Sequence, residues 1–167
     1  VLKRLPPLAR QLIEGDIDHQ STWQVVVGFT RDATDPFLMA REWAAVPPAG
    51  AAGLSADGQL CVAEILLAYG QPKAALRFIR AALDLGVTPR LFWLFRAHQT
   101  AGAAEDETSA LALLDEADQI DPSYPLTAAA RLNHASEWDE AASVLAQFRP
   151  TTDWERDAAA LVASVVF

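Results

Sequence analysis

A pattern of small and large apolar residues recurs along this chain with a period close to the length of a helical hairpin. The copies begin at Ala40, Ala75, Ala110 and Ala141, which lie 35, 35 and 31 residues apart by subtraction. A period near 34 residues is typical of stacked helical hairpins, in which each unit buries its apolar face only against its neighbours. The sequence therefore predicts a repeat array.

The copies at Ala75 and Ala110 have the composition that a close helix crossing requires. Ala75 is followed by Ile79 four positions later and by Ala82 after three more. Small residues let two helices approach, and the large apolar residue between them fills the space at the crossing. The copy at Ala110 repeats these types, whereas the copy at Ala141 ends on the bulky Phe148.

Proline, glycine and capping residues separate the helices. Asp35-Pro36 is typical of a helix start, Gly70 of a helix end, and Pro72 of the next start. The punctuation predicts ten helices and no strands, at 5–14, 22–31, 36–46, 57–69, 72–85, 90–101, 106–119, 124–134, 137–147 and 152–166.

These residues resemble the tetratricopeptide repeat (TPR) family. Trp93 and Ala97 stand where the family has a tryptophan and a small residue in the first helix, and Trp154 and Ala158 open a further first helix. Val27-Gly28 stands where the family has Leu-Gly. The resemblance implies an all-α, right-handed solenoid of helical hairpins. The chain departs from the family in its degenerate first repeat and in the mostly absent first-helix aromatic.

The resemblance implies that residues 1–167 form a single repeat domain. We expect a leading helix in 1–20, a degenerate repeat in 21–54, repeats at 56–89, 90–122 and 123–150, and a C-terminal helix in 151–167. A chain that opens on Val1 is expected to be part of a longer protein. An ordinary bundle of alanine-rich helices is the alternative to the solenoid.

Composition limits the class of partner. The chain has 167 residues, 51% of them hydrophobic, and 22 acidic against 13 basic residues give a formal net charge of -9. This charge disfavours nucleic acid and anionic lipid surfaces. We find no apolar run long enough to span a bilayer and no secretory signal, so we expect no membrane insertion and a cytoplasmic protein.

Residues with catalytic or metal-binding chemistry are few and scattered. Cys61 is the only cysteine, and His19, His98 and His134 lack a second ligand at metal-binding spacing. The acids of 105–107 stand at a helix start, where negative charge is favoured. We expect no catalytic residue, no metal and no cofactor.

The resemblance implies that exposed first-helix positions bind a partner. By register these positions form a mainly apolar row, and the row contains Val25, Phe29, Leu60, Glu64, Leu67, Leu94, His98, Leu126, Ala130 and Asn133. Such a row suits a protein or peptide segment with hydrophobic anchors. The alternative is that the chain's own terminal helices cover the row as ordinary core.

The expected function is a protein–protein interaction module, either a scaffold segment or a chaperone similar to the repeat-type chaperones of bacterial type III secretion. Self-association of the chain is compatible with this function. The competing hypothesis is a regulatory or substrate-presenting arm of an enzyme assembly, such as one for glycosyl transfer or polysaccharide synthesis.

Overall fold

The computed structural model describes residues 54–164, and within this range the chain is entirely helical. Its seven helices are α1 (Ala56–Ala68), α2 (Pro72–Asp84), α3 (Arg90–Ala103), α4 (Glu107–Ile120), α5 (Pro125–His134), α6 (Trp138–Gln147) and α7 (Asp153–Ser164). They correspond to the last seven predicted helices, with ends that agree to within two residues. The three earlier predicted helices, the leading helix, the degenerate repeat, Val25 and Phe29 lie outside the described residues.

The chain divides into two compact units near Val87. The first unit is described from residue 54 and contains the α1/α2 hairpin. The second unit contains the α3/α4 and α5/α6 hairpins and α7.

The three hairpins close with the same backbone turn. Each turn has three residues, and its middle residue, Gly70, Glu105 or Ser136, has a positive φ of 73°, 57° or 62°. In each turn the last residue donates its N–H to a carbonyl of the preceding helix. The pairs are Gln71 to Leu66, Asp106 to Ala101 and Glu137 to Leu132, at 2.8, 2.9 and 2.9 Å. This bond belongs to the Schellman motif, which satisfies the carbonyls at a helix end.

The helix starts follow from local chemistry. The Ser55 hydroxyl accepts the N–H of Gly58 at 3.2 Å, and the Asp106 carboxylate accepts the N–H of Ser109 at 3.1 Å. Pro72 and Pro125 occupy the first turns of α2 and α5. Proline is favoured there because the first helical N–H groups have no intrahelical acceptor.

The alanines of the recurrent pattern lie at buried helix crossings. Ala75 and Ala82 of α2 are fully buried, and so are Ala110 and Ala117 of α4. Ala141 of α6 is also buried, whereas the rest of its copy is partly exposed. The second helix of each hairpin thus presents a small side chain to the interior of its unit.

In the second unit, α7 turns back onto the beginning of the unit. It packs against α3 as well as against α5 and α6. Its buried residues, Ala158 and Val162, belong to one apolar cluster with Phe95 of α3 and with Leu126 and Ala130 of α5. This cluster therefore joins α7 to α3 and α5, and Leu114 of α4 is a further member of it.

Replacing Ala110 by leucine should destabilise the chain, because the added atoms have no free space at a fully buried crossing. Overpacking of this kind costs ~1 to 3 kcal/mol. The measurement is urea unfolding followed by circular dichroism. Ala112→Leu on the exposed side of the same helix is the control and should change the unfolding free energy by less than about 0.5 kcal/mol. Equal effects of the two substitutions would contradict the burial of Ala110.

Candidate functional site

The first unit leaves part of the predicted row accessible. Leu60 is buried in α1, whereas Glu64 and Leu67 on the same helix are partly exposed. Leu67 is thus a partly accessible apolar side chain of this unit.

The second unit buries its share of the predicted row. Leu94, His98, Leu126, Ala130 and Asn133 are between 0% and 7% exposed. Leu126 and Ala130 lie in the cluster that α7 covers. His98 instead faces the main-chain oxygen of Ala110 in α4. Binding at Leu126, Ala130 or Asn133 therefore requires α7 to move. The binding role of these residues stays a prediction.

Asn133 makes the most specific contact between α5 and α7. Its side-chain amide donates a buried hydrogen bond of 2.9 Å to the main-chain carbonyl of Val162. Val162 lies in the last described turn of α7. Asn133 therefore binds backbone, which is a way of holding a polypeptide that depends little on its sequence.

The other end of α7 is fixed by polar and aromatic contacts. The Thr152 hydroxyl accepts the N–H of Glu155 at 3.3 Å, and the Glu155 carboxylate accepts the N–H of Thr152 at 3.1 Å, which is a capping box. Tyr124 donates its hydroxyl to Glu155 at 3.2 Å and stacks on Trp154 with ring centroids 6.4 Å apart. Hydrogen bonds from Thr151 lower the pKa of Glu155, so this carboxylate is charged at neutral pH.

A third polar contact joins α3 to the end of α7. The side-chain amide of Gln99 donates to the Ser164 hydroxyl at 3.0 Å in an exposed position. The second unit thus holds α7 at its first turn through Tyr124, and near its last residue through Asn133 and Gln99.

His98 connects the two helices of the α3/α4 hairpin. Its Nδ1 lies 3.2 Å from the main-chain oxygen of Ala110, and since a carbonyl only accepts, Nδ1 carries the proton. The ring of His134 lies 5.2 Å away between centroids. Burial lowers the pKa of His98 to about 4, with smaller contributions from His134 and Arg131 in the same direction. His98 is therefore neutral at pH 7 and acts in packing.

The acidic residues of α4 join this helix to its neighbours. Arg131 of α5 contacts both Asp115 and Asp118 at 2.6 Å, and Arg90 of α3 contacts Glu116 at 3.5 Å. Exposed pairs of this kind each contribute at most about 1 kcal/mol. Their geometry orients α4 against α3 and α5.

Cys61 is the one cysteine in the part of the chain that the structure describes, and it is buried. Burial raises the pKa of the Cys61 thiol to about 12, so this group stays protonated at neutral pH. Between residues 54 and 164, no three His, Cys, Asp or Glu side chains are grouped as metal ligands would be. In the same range no helix has both the length and the apolar character needed to cross a bilayer.

Sequence reasoning did not identify the residues of α7 as part of the site. Trp154 and Ala158 were interpreted as the start of one more first helix, and the pairing of Val162 with Asn133 was not foreseen. The Thr152-Asp153-Trp154-Glu155 segment carries a local signal, since Thr followed three residues later by Glu is a capping box. No local signal specifies the surface on which α7 packs.

Comparison with protein-family models gave no match, and neither the curated proteins nor the solved structures that were searched gave a significant one. Between residues 54 and 164 the fold belongs to the all-α class, with three helical hairpins and one further helix.

Lowering the pH should destabilise the chain through His98. Its folded pKa is depressed below the usual value of 6.5, so the unfolded state binds more protons between pH 6.5 and pH 4. The stabilisation is complete above pH 6.5 and is lost as the pH falls towards 4, by on the order of 3 kcal/mol. Urea unfolding at several pH values measures this loss.

The matched variant is His98→Gln, whose amide can still donate to the carbonyl of Ala110 but does not titrate. Its unfolding free energy should fall less than that of the wild type between pH 6.5 and 4.5. Identical pH profiles of the two chains would contradict the buried, neutral state of His98.

Proposed function

We propose that this chain is a TPR-like interaction module that binds a partner polypeptide through the faces of its first helices. On this proposal the hairpins continue into a right-handed solenoid of about ten helices, including those predicted before residue 54. The module acts as a scaffold segment or as a chaperone that holds another protein.

The recurrence of one hairpin design carries the proposal. The three turn residues with positive φ are Gly70, Glu105 and Ser136. Subtraction of their residue numbers gives spacings of 35 and 31 residues. Those are the same spacings that separate the buried alanines Ala75, Ala110 and Ala141. Repeats that agree in both turn geometry and packing support a hairpin array over a bundle of unrelated helices.

Phe95 of α3 and Leu126 and Ala130 of α5 form an apolar surface, called the α3/α5 face below, on which α7 packs. Because a helix already lies on this face, a polypeptide is the favoured class of ligand. The face formed by α3 and α5 accommodates a helix, and Asn133 supplies a donor for its main chain. Apolar contacts with a few polar groups that bind backbone are the usual basis of helix recognition in a groove. The net charge of -9 favours a partner with basic residues.

A photo-crosslinking amino acid placed at Leu67 tests the proposal in the native host. Leu67 is a partly exposed first-helix residue, so we expect it to crosslink to one or a few proteins that mass spectrometry identifies. The matched control places the same amino acid at Ala112, an exposed residue of the second helix α4. Equal labelling at both positions, or none at Leu67, would count against partner binding through first helices.

A further inference from the structure

Helix α6 (Trp138–Gln147) is the least buried of the seven helices that the structure describes. Only Ala141 of its ten residues is buried, whereas five of the ten residues of α5, the other helix of its hairpin, are. Trp138, Ala142 and Ala146 are exposed, the tryptophan by 37% of its surface. A large apolar side chain of α6 is thus in contact with water.

The exposed apolar residues of α6 form one strip. Trp138, Ala142 and Ala146 follow each other at intervals of four, so they lie on the same side of the helix. Leu145 borders this strip, and it also packs in part on the apolar cluster of the unit. Tryptophan is enriched among the residues that dominate binding energy at protein interfaces. We call Trp138, Ala142 and Ala146 the α6 strip and treat it as a contact surface.

The two ends of the α6 strip differ in charge. Glu137 and Asp139 lie at the start of the helix and are exposed. Arg149 lies beyond its end and is also exposed. The Arg149 guanidinium donates to the main-chain oxygens of Ala146 and Phe148 at 2.7 and 3.0 Å, which holds the positive charge close to the last turn. The strip therefore runs from an acidic end to a basic end.

We infer that the α6 strip joins two copies of this chain in a twofold-symmetric dimer. The two α6 helices lie antiparallel, and Ala142 faces Ala142 of the second copy on the axis. Trp138 of each copy then faces Ala146 of the other, because these residues lie four positions before and after Ala142. A large side chain meets a small one in both halves of the contact, and the alanines on the axis let the helices approach closely.

Charge complementarity identifies a second copy as the occupant. Arg149 lies seven residues after Ala142, and Glu137 and Asp139 lie five and three residues before it. Antiparallel pairing about Ala142 therefore brings Arg149 to within ~3 to 6 Å of the level of these acids in the other copy, at about 1.5 Å per helical residue. An arginine side chain spans that offset. A surface that fits itself in size and charge is what a twofold contact requires.

This inference goes beyond the proposed function and does not depend on it. The α6 strip belongs to a second helix, whereas the proposed partner contacts use first-helix residues such as Leu67. A dimer formed through α6 carries two such modules and can bind two segments of one partner at once. A contact of this size is typical of weak, reversible association.

The first test measures association of the full chain by sedimentation equilibrium up to millimolar concentrations. We expect a reversible monomer–dimer equilibrium. Ala142→Glu places two carboxylates on the axis and should weaken dimerisation at least tenfold. Ala112→Glu, at an exposed residue of α4, adds the same charge elsewhere and should leave the dimer unchanged. A monomer at every concentration, or equal effects of the two substitutions, would overturn the inference.

The second test exchanges charges between the two ends of the strip. One chain carries Arg149→Glu and the other carries Glu137→Lys with Asp139→Lys, and each alone should dimerise at least tenfold more weakly than the wild type. Their equimolar mixture should dimerise again, because both ends of the mixed dimer then pair opposite charges. Either reversal also alters the interaction of the helix with its own dipole, but that effect is the same in the mixture. Dimerisation of the separate chains at wild-type strength, or no recovery in the mixture, would contradict the antiparallel contact.

The third test locates the axis. In the full chain with Cys61→Ala, a cysteine replaces either Ala142 or the neighbouring exposed Ser143, which points to another side of α6. Oxidation by copper phenanthroline should give the disulfide-linked dimer at least tenfold faster for Ala142→Cys than for Ser143→Cys. Equal rates would show that Ala142 is not on the axis. If the dimer fails these tests while Leu67 still crosslinks to a defined protein in the host, the self-association is wrong and the proposed function stands.

Discussion

Burial of the apolar face shared by α3 and α5 is the constraint on which the second unit depends. Phe95, Leu126 and Ala130 form a surface that exposure to water would destabilise, at about 25 cal/mol for each Å² of apolar area. The second helices of the α3/α4 and α5/α6 hairpins pack on the same cluster, through Leu114 of α4 and through Val144 and Leu145 of α6. The last helix, α7, adds Ala158, Val162 and Trp154 to it.

Polar contacts add to the apolar burial that holds α7 in place. Apolar burial by Ala158 and Val162 is modest, and hydrogen bonds from Asn133, Tyr124 and Gln99 fix the helix along its length. Asn133 is the informative residue among these, because a buried amide without a partner would be costly. The face therefore requires a polypeptide carbonyl at this position, and α7 supplies it.

Much of the helical architecture follows from local signals in the sequence. Pro72, Gly70 and the Ser55 cap mark helix ends, and the alanines at 75 and 110 mark the buried crossings. The breaks at Glu105 and Ser136 agree with the predicted helix bounds, but their positive φ was not predicted, because neither position has the glycine that usually signals it.

The position of α7 was harder to predict from the sequence than its existence. An amphipathic helix with an alanine and a tryptophan has the same pattern whether it starts a new repeat or crosses the face of earlier ones. The choice depends on which apolar surface lacks cover, and that is a property of the assembled unit. The residues of the predicted row that lie between 54 and 164 are on α1, α3 and α5, and their exposure depends on the same choice.

Native-state hydrogen exchange tests the central claim most directly, namely that α7 covers the α3/α5 face as a separately opening element. The amides of 157–164 should be protected in water, and at low denaturant they should open together at a lower free energy than those of α3 to α6. Protection of α7 equal to that of α3 and α5 would show a permanent part of the core. Absence of any protection in α7 would show that it does not dock on the α3/α5 face.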